Sequence, residues 1–174
     1  MIMVQDSWMD DLKQSIDREM ETYFNGDLRR IEHARKVTDF VEKLLETESG
    51  DRRIVIPAGL LHDIGIPESE RKYHSSSGHY QEIEGPPIAR TILLRLALDP
   101  EWIEKICQII AHHHTPGKIT TQNFKILYDA DWLVNLGDEF DIGDKAKLDK
   151  TIQKVFLTVS GRKLARQVYI SNSK

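Results

Sequence analysis

Apolar residues recur along most of this chain at intervals of three and four, and strand-like alternation is scarce, so the pattern predicts an all-α fold. A first helix is expected over about Asp6–Phe24, with Trp8, Leu12, Ile16 and Met20 spaced by four and Asn25-Gly26 closing it. Asp27 can cap a second, which carries Ile31, Ala34, Val37, Val41, Leu44 and Leu45 until Gly50-Asp51 breaks it. A third is expected from near Ile54, with Pro57 in its first turn, to Gly65, and Pro67 lies beyond. Residues 68–84 read as a polar connection rich in Ser, His and charge, with Ser75-Ser76-Ser77-Gly78 suited to a lid. Pro86-Pro87 open a helix through Leu98. Asp99-Pro100-Glu101 start the next with a cap, a proline and a first-turn acid. It carries Ile103, Ile106, Cys107 and Ile110 into His112-His113-His114, and Thr115-Pro116-Gly117 stops it. A helix near Asn123–Leu136 closes at Gly137, and a last tract, about Lys145–Val168, is interrupted by Gly161. The expected organisation is an N-terminal helix (1–26) packed on a bundle (27–140), followed by a helical extension (141–174). The apolar stripe of the first helix would also serve a homodimer contact.

Composition narrows the classes of function. A chain of 174 residues can bury a core without staples. The single cysteine, Cys107, excludes a disulfide scaffold and a cysteine-based zinc site. With 24 basic against 28 acidic residues, the net charge of -4 argues against holding nucleic acid by bulk charge. No apolar run approaches the roughly 20 residues that cross a bilayer. The first residues lack the basic start and apolar stretch of a signal peptide, so a cytoplasmic protein without membrane contact is expected.

Several polar residues sit where apolar ones belong. His62-Asp63 end the apolar run Ala58-Gly59-Leu60-Leu61, and a buried carboxylate there must neutralise or find a partner. The plainer reading is a helix end where His62 caps carbonyls and Asp63 meets water. Asp131 shares a helix face with Leu127 and Val134, inside an apolar stripe; Asp129 lies off that face and belongs to the surroundings or the surface. An arginine partner would also account for Asp131. His33 stands in line with Val37, Phe40 and Leu44, where a lone histidine is more often a satisfied core residue. His112-His113-His114 fan over about 200° of a helix, so one or two can serve a centre while the rest stay solvated. Each signal is weak singly. Together they place imidazoles and carboxylates on four helices, and a bundle core is where such side chains converge on a metal.

The order His33, His62-Asp63, Asp131 resembles the HD superfamily of metal-dependent phosphohydrolases over about Leu28–Leu136, and Ala58-Gly59-Leu60-Leu61-His62-Asp63-Ile64-Gly65 is similar to that family's signature. The resemblance implies an HD-domain helical bundle, with His33, His62, Asp63 and Asp131 holding a first metal. The chain is also similar to the two-metal branches. There Glu84-Gly85-Pro86 stands where a histidine is usual, and His113-His114-Thr115 matches the later histidine pair. The implied second-site residues are Glu84, His113 and His114, with His79 as the replacement for Glu84. Ile66-Pro67 follow Gly65 where the family often has a lysine, and no Gly-Tyr-Pro motif follows the histidine run, against a cyclic-di-GMP phosphodiesterase of that type.

The expected function is hydrolysis of a small phosphorylated substrate, a nucleotide or another phosphate ester, by metal-activated water. One or two divalent ions of iron, manganese, zinc, nickel or cobalt would serve, since imidazole and carboxylate suit them all. Asp63 and His62 are the expected catalytic pair, and Asp63 can serve two ions because a carboxylate has two oxygens. Substrate phosphates are expected to meet Arg71, Lys72, His79, Arg90 and Lys118. A di-iron oxygenase on the same scaffold and a non-catalytic metal- and nucleotide-binding module are the alternatives.

Overall fold

The structure, a computed structural model, describes residues 2–171. Among them are nine α-helices, a terminal π-helical turn (Gln167–Ser171) and no strand. The helices are α1 (Ile2–Phe24), α2 (Leu28–Leu45), α3 (Arg52–Leu61), α4 (Ile66–Tyr73), α5 (Gly78–Arg95), α6 (Pro100–Ile110), α7 (Gln122–Glu139), α8 (Lys145–Val155) and α9 (Val159–Arg166).

Side-chain caps start the bundle helices where the sequence offers them. Asp27, Asp51, Asp99 and Thr121 each accept a hydrogen bond from a backbone N–H two or three residues on. Residues Ile54 to Leu61 of α3 are all buried, and a helix apolar on every side belongs in the middle. It packs against α1, α2, α6 and α7. From α1, Leu12, Ile16, Met20 and Phe24 enter the core, while Trp8 stays half-exposed, edge-on to Trp102.

Two contacts set the direction of α7 against α2. Asn123, at the start of α7, accepts from the Asp51 backbone N–H (2.8 Å), just beyond α2. His33, in the first half of α2, touches Asp131 near the middle of α7. The two helices are therefore antiparallel. The N-terminal turn of α2 lies beside the C-terminal turns of α7.

The stretch 68–84 is not a connection. Only His74–Ser77 link α4 to α5. Helix α4 turns its charge outward, where Glu68 pairs with Arg71 and Lys72 at i+3 and i+4, and it buries Ile66 and Ser69. His74 closes it in the left-handed conformation (φ 51°). Gly65 precedes α4 instead of ending α3. A Cβ on it would lie 2.6 Å from the Gly85 backbone nitrogen, so glycine allows this junction to press onto the α5 backbone. Pro86 and Pro87 fall inside α5 and do not open it. Gly137 falls inside α7. The C-terminal tract breaks at Phe156–Thr158, and Gly161 lies inside α9.

Candidate metal centre

Four segments of the bundle bring polar side chains to one place. His33 Nε2 lies 3.1 Å from Asp131 Oδ1, 3.3 Å from His62 Nε2 and 3.6 Å from Asp63 Oδ2. His62 Nε2 lies 3.5 Å from Asp63 Oδ2 and 3.6 Å from Asp131 Oδ1. The other oxygen of Asp63, Oδ1, lies 3.5 Å from His113 Nε2. Asp63 thus shows one oxygen to His33 and His62 and the other to His113. Two overlapping sets of donor atoms result, His33–His62–Asp63 and Asp63–His113–His114, each within 4.8 Å.

The helix ends explain the aim of two of these rings. His62 follows α3, and its Nδ1–H donates to the Gly59 carbonyl (2.8 Å). His113 stands in the same relation to α6, donating from Nδ1 to the Ile110 carbonyl (2.7 Å). Capping an orphan carbonyl with one nitrogen turns the other toward the cluster, where it offers a lone pair once the ring is neutral. His62 is therefore both a helix cap and a member of the cluster. His113 Nε2 is buried without a hydrogen-bond partner. Lone pairs that face carboxylate oxygens need a cation between them. Imidazole and carboxylate are the donors that borderline divalent metals take, so the residues fit such an ion.

The electrostatics agree. Burial would raise the Asp63 pKa, but His62 and His113 outweigh it and hold the carboxylate below its usual range. His33 and His62 do the same for Asp131 against its own burial. Burial would lower the His62 pKa, but Asp63 and Asp131 push it up to about 9. Burial and then His113 lower that of His114 to about 4.

His114 is held by α5. Gln81 Nε2 donates to the Ser76 carbonyl (2.7 Å), and Gln81 Oε1 lies 3.0 Å from His114 Nε2. A carbonyl only accepts, so Ser76 fixes which way the amide points. Oε1 must then face His114, whose Nε2 carries the proton and whose Nδ1 keeps the lone pair. The His114 ring rests against Gly78, where a Cβ would come within 2.6 Å. The His114 backbone N–H donates to Glu82 (2.9 Å). Gln81 escapes sequence reading, because it lies in a stretch whose polarity resembles a loop.

Other expected site residues stand elsewhere. Glu84 accepts from Lys72 Nζ (2.7 Å) and Tyr73 Oη (2.8 Å), outside both donor sets. His79 is exposed, with its ring against Tyr80. Arg71 makes a two-pronged pair with Glu68, and Arg90 pairs with Glu104 on α6. Lys118 is exposed beyond the histidine run. The cleft beside the cluster has a volume of about 560 Å³, and none of Arg71, Lys72, His79, Arg90 or Lys118 lines it. The expected loop is helix, and most of its charges are already paired there. The cations at the cleft are Arg29, Arg30 and Lys36 of α2, which the sequence pattern does not single out. Arg30 is bound to Asp27 and Glu70.

A bundle that gathers imidazoles and carboxylates around buried lone pairs is an all-α protein with groups able to hold a divalent metal. More specifically, the chain belongs to the HD domain family, whose model matches residues 30–136 and so spans His33 to Asp131. Its fold is similar to the crystal structure of a predicted HD superfamily hydrolase from an uncultured Thermotogales bacterium. The two share 26% sequence identity, with a TM-score of 0.66 over 91% of this chain and 84% of the other. No curated protein matches the sequence. Among the described residues no helix is long and apolar enough to cross a membrane.

Proposed function

We propose that this chain is a metal-dependent phosphohydrolase acting on a small phosphate ester. The observation that carries the reading is the division of Asp63 between two groups of histidines, 3.5 Å from each. His33, His62, Asp63 and Asp131 would hold one ion, and Asp63, His113 and His114 a second. A divalent ion bound there supplies Lewis acidity toward a phosphoryl oxygen and lowers the pKa of water. The chain's own groups do the rest. The Nδ1 bonds of His62 and His113 fix both rings before anything binds, so orientation is set in advance. Arg29 and Lys36 flank His33 on α2 and have no carboxylate within 4.0 Å among the described residues. They are free to meet phosphate oxygens. Membership in the HD domain family and likeness to a predicted hydrolase support the same reading.

The test is elemental analysis of protein purified without added metal, beside phosphate release from para-nitrophenyl phosphate. Two ions per chain are expected, with Asp63→Ala losing both and releasing phosphate at least about a hundredfold more slowly. Full metal content in Asp63→Ala would remove that residue from its proposed place. Dioxygen consumption without phosphate release would identify an oxygenase instead.

A further inference from the structure

Arg29, His33 and Lys36 occupy i, i+4 and i+7 on α2, one face of that helix. Asp131, Asn135 and Asp138 occupy the same three offsets on α7, and Glu139 follows. All of these line the cleft. Because the helices are antiparallel, the end carrying Arg29 lies beside the end carrying Asn135, Asp138 and Glu139. Neither Asp138 nor Glu139 has a cationic partner within 4.0 Å among the described residues. Leading away from the cluster toward that end, α2 offers Arg29 and α7 offers Asn135, Asp138 and Glu139, while Lys36 stands one turn to the other side of His33.

The cleft is also more polar than apolar. Among the described residues that line it, Ile66 is the one aliphatic side chain, and there is no Phe, Tyr or Trp. The nearby Trp132 turns to Tyr128 and Phe140 instead. Its only rings are the imidazoles of His33 and His114, which belong to the cluster. A nucleobase takes much of its binding from stacking on an aromatic face, and no aromatic side chain outside the cluster is among the described residues that line the cleft.

We infer that the ester hydrolysed in this cleft is the phosphate monoester of a polyhydroxylated alcohol, a sugar or polyol phosphate, and not a nucleotide. The inference rests on the proposed hydrolase and names its substrate class. The phosphoryl group lies at the cluster, with Arg29 and Lys36 on its oxygens. The alcohol part extends toward Asn135, Asp138 and Glu139, which accept hydrogen bonds from its hydroxyls. Water forms the new P–O bond, the ester P–O bond breaks, and the leaving oxygen takes up a proton. The products are inorganic phosphate and the free polyol.

The experiment compares the full-length, metal-loaded protein on four esters: a hexose phosphate, glycerol phosphate, a nucleoside monophosphate and para-nitrophenyl phosphate. The expected kcat/KM for the hexose phosphate exceeds that for the nucleoside monophosphate by at least about tenfold, the scale of one or two added hydrogen bonds to hydroxyls. In Asp138→Ala, KM for the hexose phosphate should rise several-fold while kcat changes much less, because Asp138 binds the alcohol part and not the reacting atoms. A nucleotide preferred to the sugar phosphate overturns the inference, and so does an unchanged KM in Asp138→Ala. If no ester is turned over, para-nitrophenyl phosphate included, the hydrolase reading itself has failed and takes this inference with it.

Discussion

At the scale of single residues, the cluster depends on which nitrogen each ring presents. His62 and His113 are set by carbonyls of their own helices, but His114 is set by Gln81 from another helix. Replacing Gln81 with leucine removes that acceptor with little change in volume and leaves His33, His62, Asp63 and Asp131 untouched. His114 is then free to rotate or to change tautomer. The metal content of Gln81→Leu should fall from two ions to about one, with the affinity of the remaining ion unchanged, by elemental analysis and titration calorimetry. Two ions held as tightly as before would show that His114 needs no such support. His33, His62-Asp63 and Asp131 were legible in the sequence, since each interrupts or ends an apolar stripe. Gln81, Arg29 and Lys36 were not. A polar residue on a polar helix face has no sequence signature, and only tertiary packing brings it to a cleft.

At the scale of elements, the most informative surprise is Asp129. It lies off the face of Asp131, and surface or peripheral polarity was the natural expectation. Instead it is fully buried and accepts from the backbone N–H groups of Leu157 (2.7 Å) and Thr158 (2.8 Å) and from Thr158 Oγ1 (2.7 Å). One carboxylate thereby ties α7 to the N-terminus of α9. Gly161 is required at that joint, since a Cβ there would fall 2.2 Å from Asp129 Oδ2. Asp129→Ala strands two backbone donors in a dry site and should cost about 2–4 kcal/mol, read as a lower urea midpoint. Metal stoichiometry should stay at the wild-type value, because the hydrogen bonds of Asp129 go to Leu157 and Thr158 and not to the cluster. A loss of metal equal to that of Asp63→Ala would mean the joint also positions Asp131. The helix boundaries misread from sequence have a related cause. In α4 and the start of α5 few side chains face the core, so charge pairs along the surface hide the helical period. Pro86 and Pro87 look like a helix start because each lacks an N–H, yet α5 runs through them.

At the scale of the molecule, the cluster gathers polar groups from α2, α7 and the ends of α3 and α6, so whatever cation it holds ties the bundle together. Without a metal, a proton has to play that part. Burial lowers the His62 pKa, Asp63 and Asp131 more than reverse this, and the result in the folded chain is about 9 against 6.5 in an unfolded one. A raised pKa of this kind stabilises the fold fully below about pH 6.5 and ceases to do so as pH climbs through about 9. The two carboxylates, depressed in the fold, contribute throughout that window, since their stabilisation is lost only in acid. A divalent ion replaces the proton on Nε2, so its benefit should grow as the proton leaves. Melting temperatures measured with chelator and with cobalt, at about pH 6 and about pH 8.5, should show the larger metal-induced rise at the higher pH. The Asp131→Ala variant should lose most of that rise at both. Equal rises at both pH values would mean that no proton is exchanged for the ion, contrary to lone pairs of His62 and His113 being the atoms that hold it.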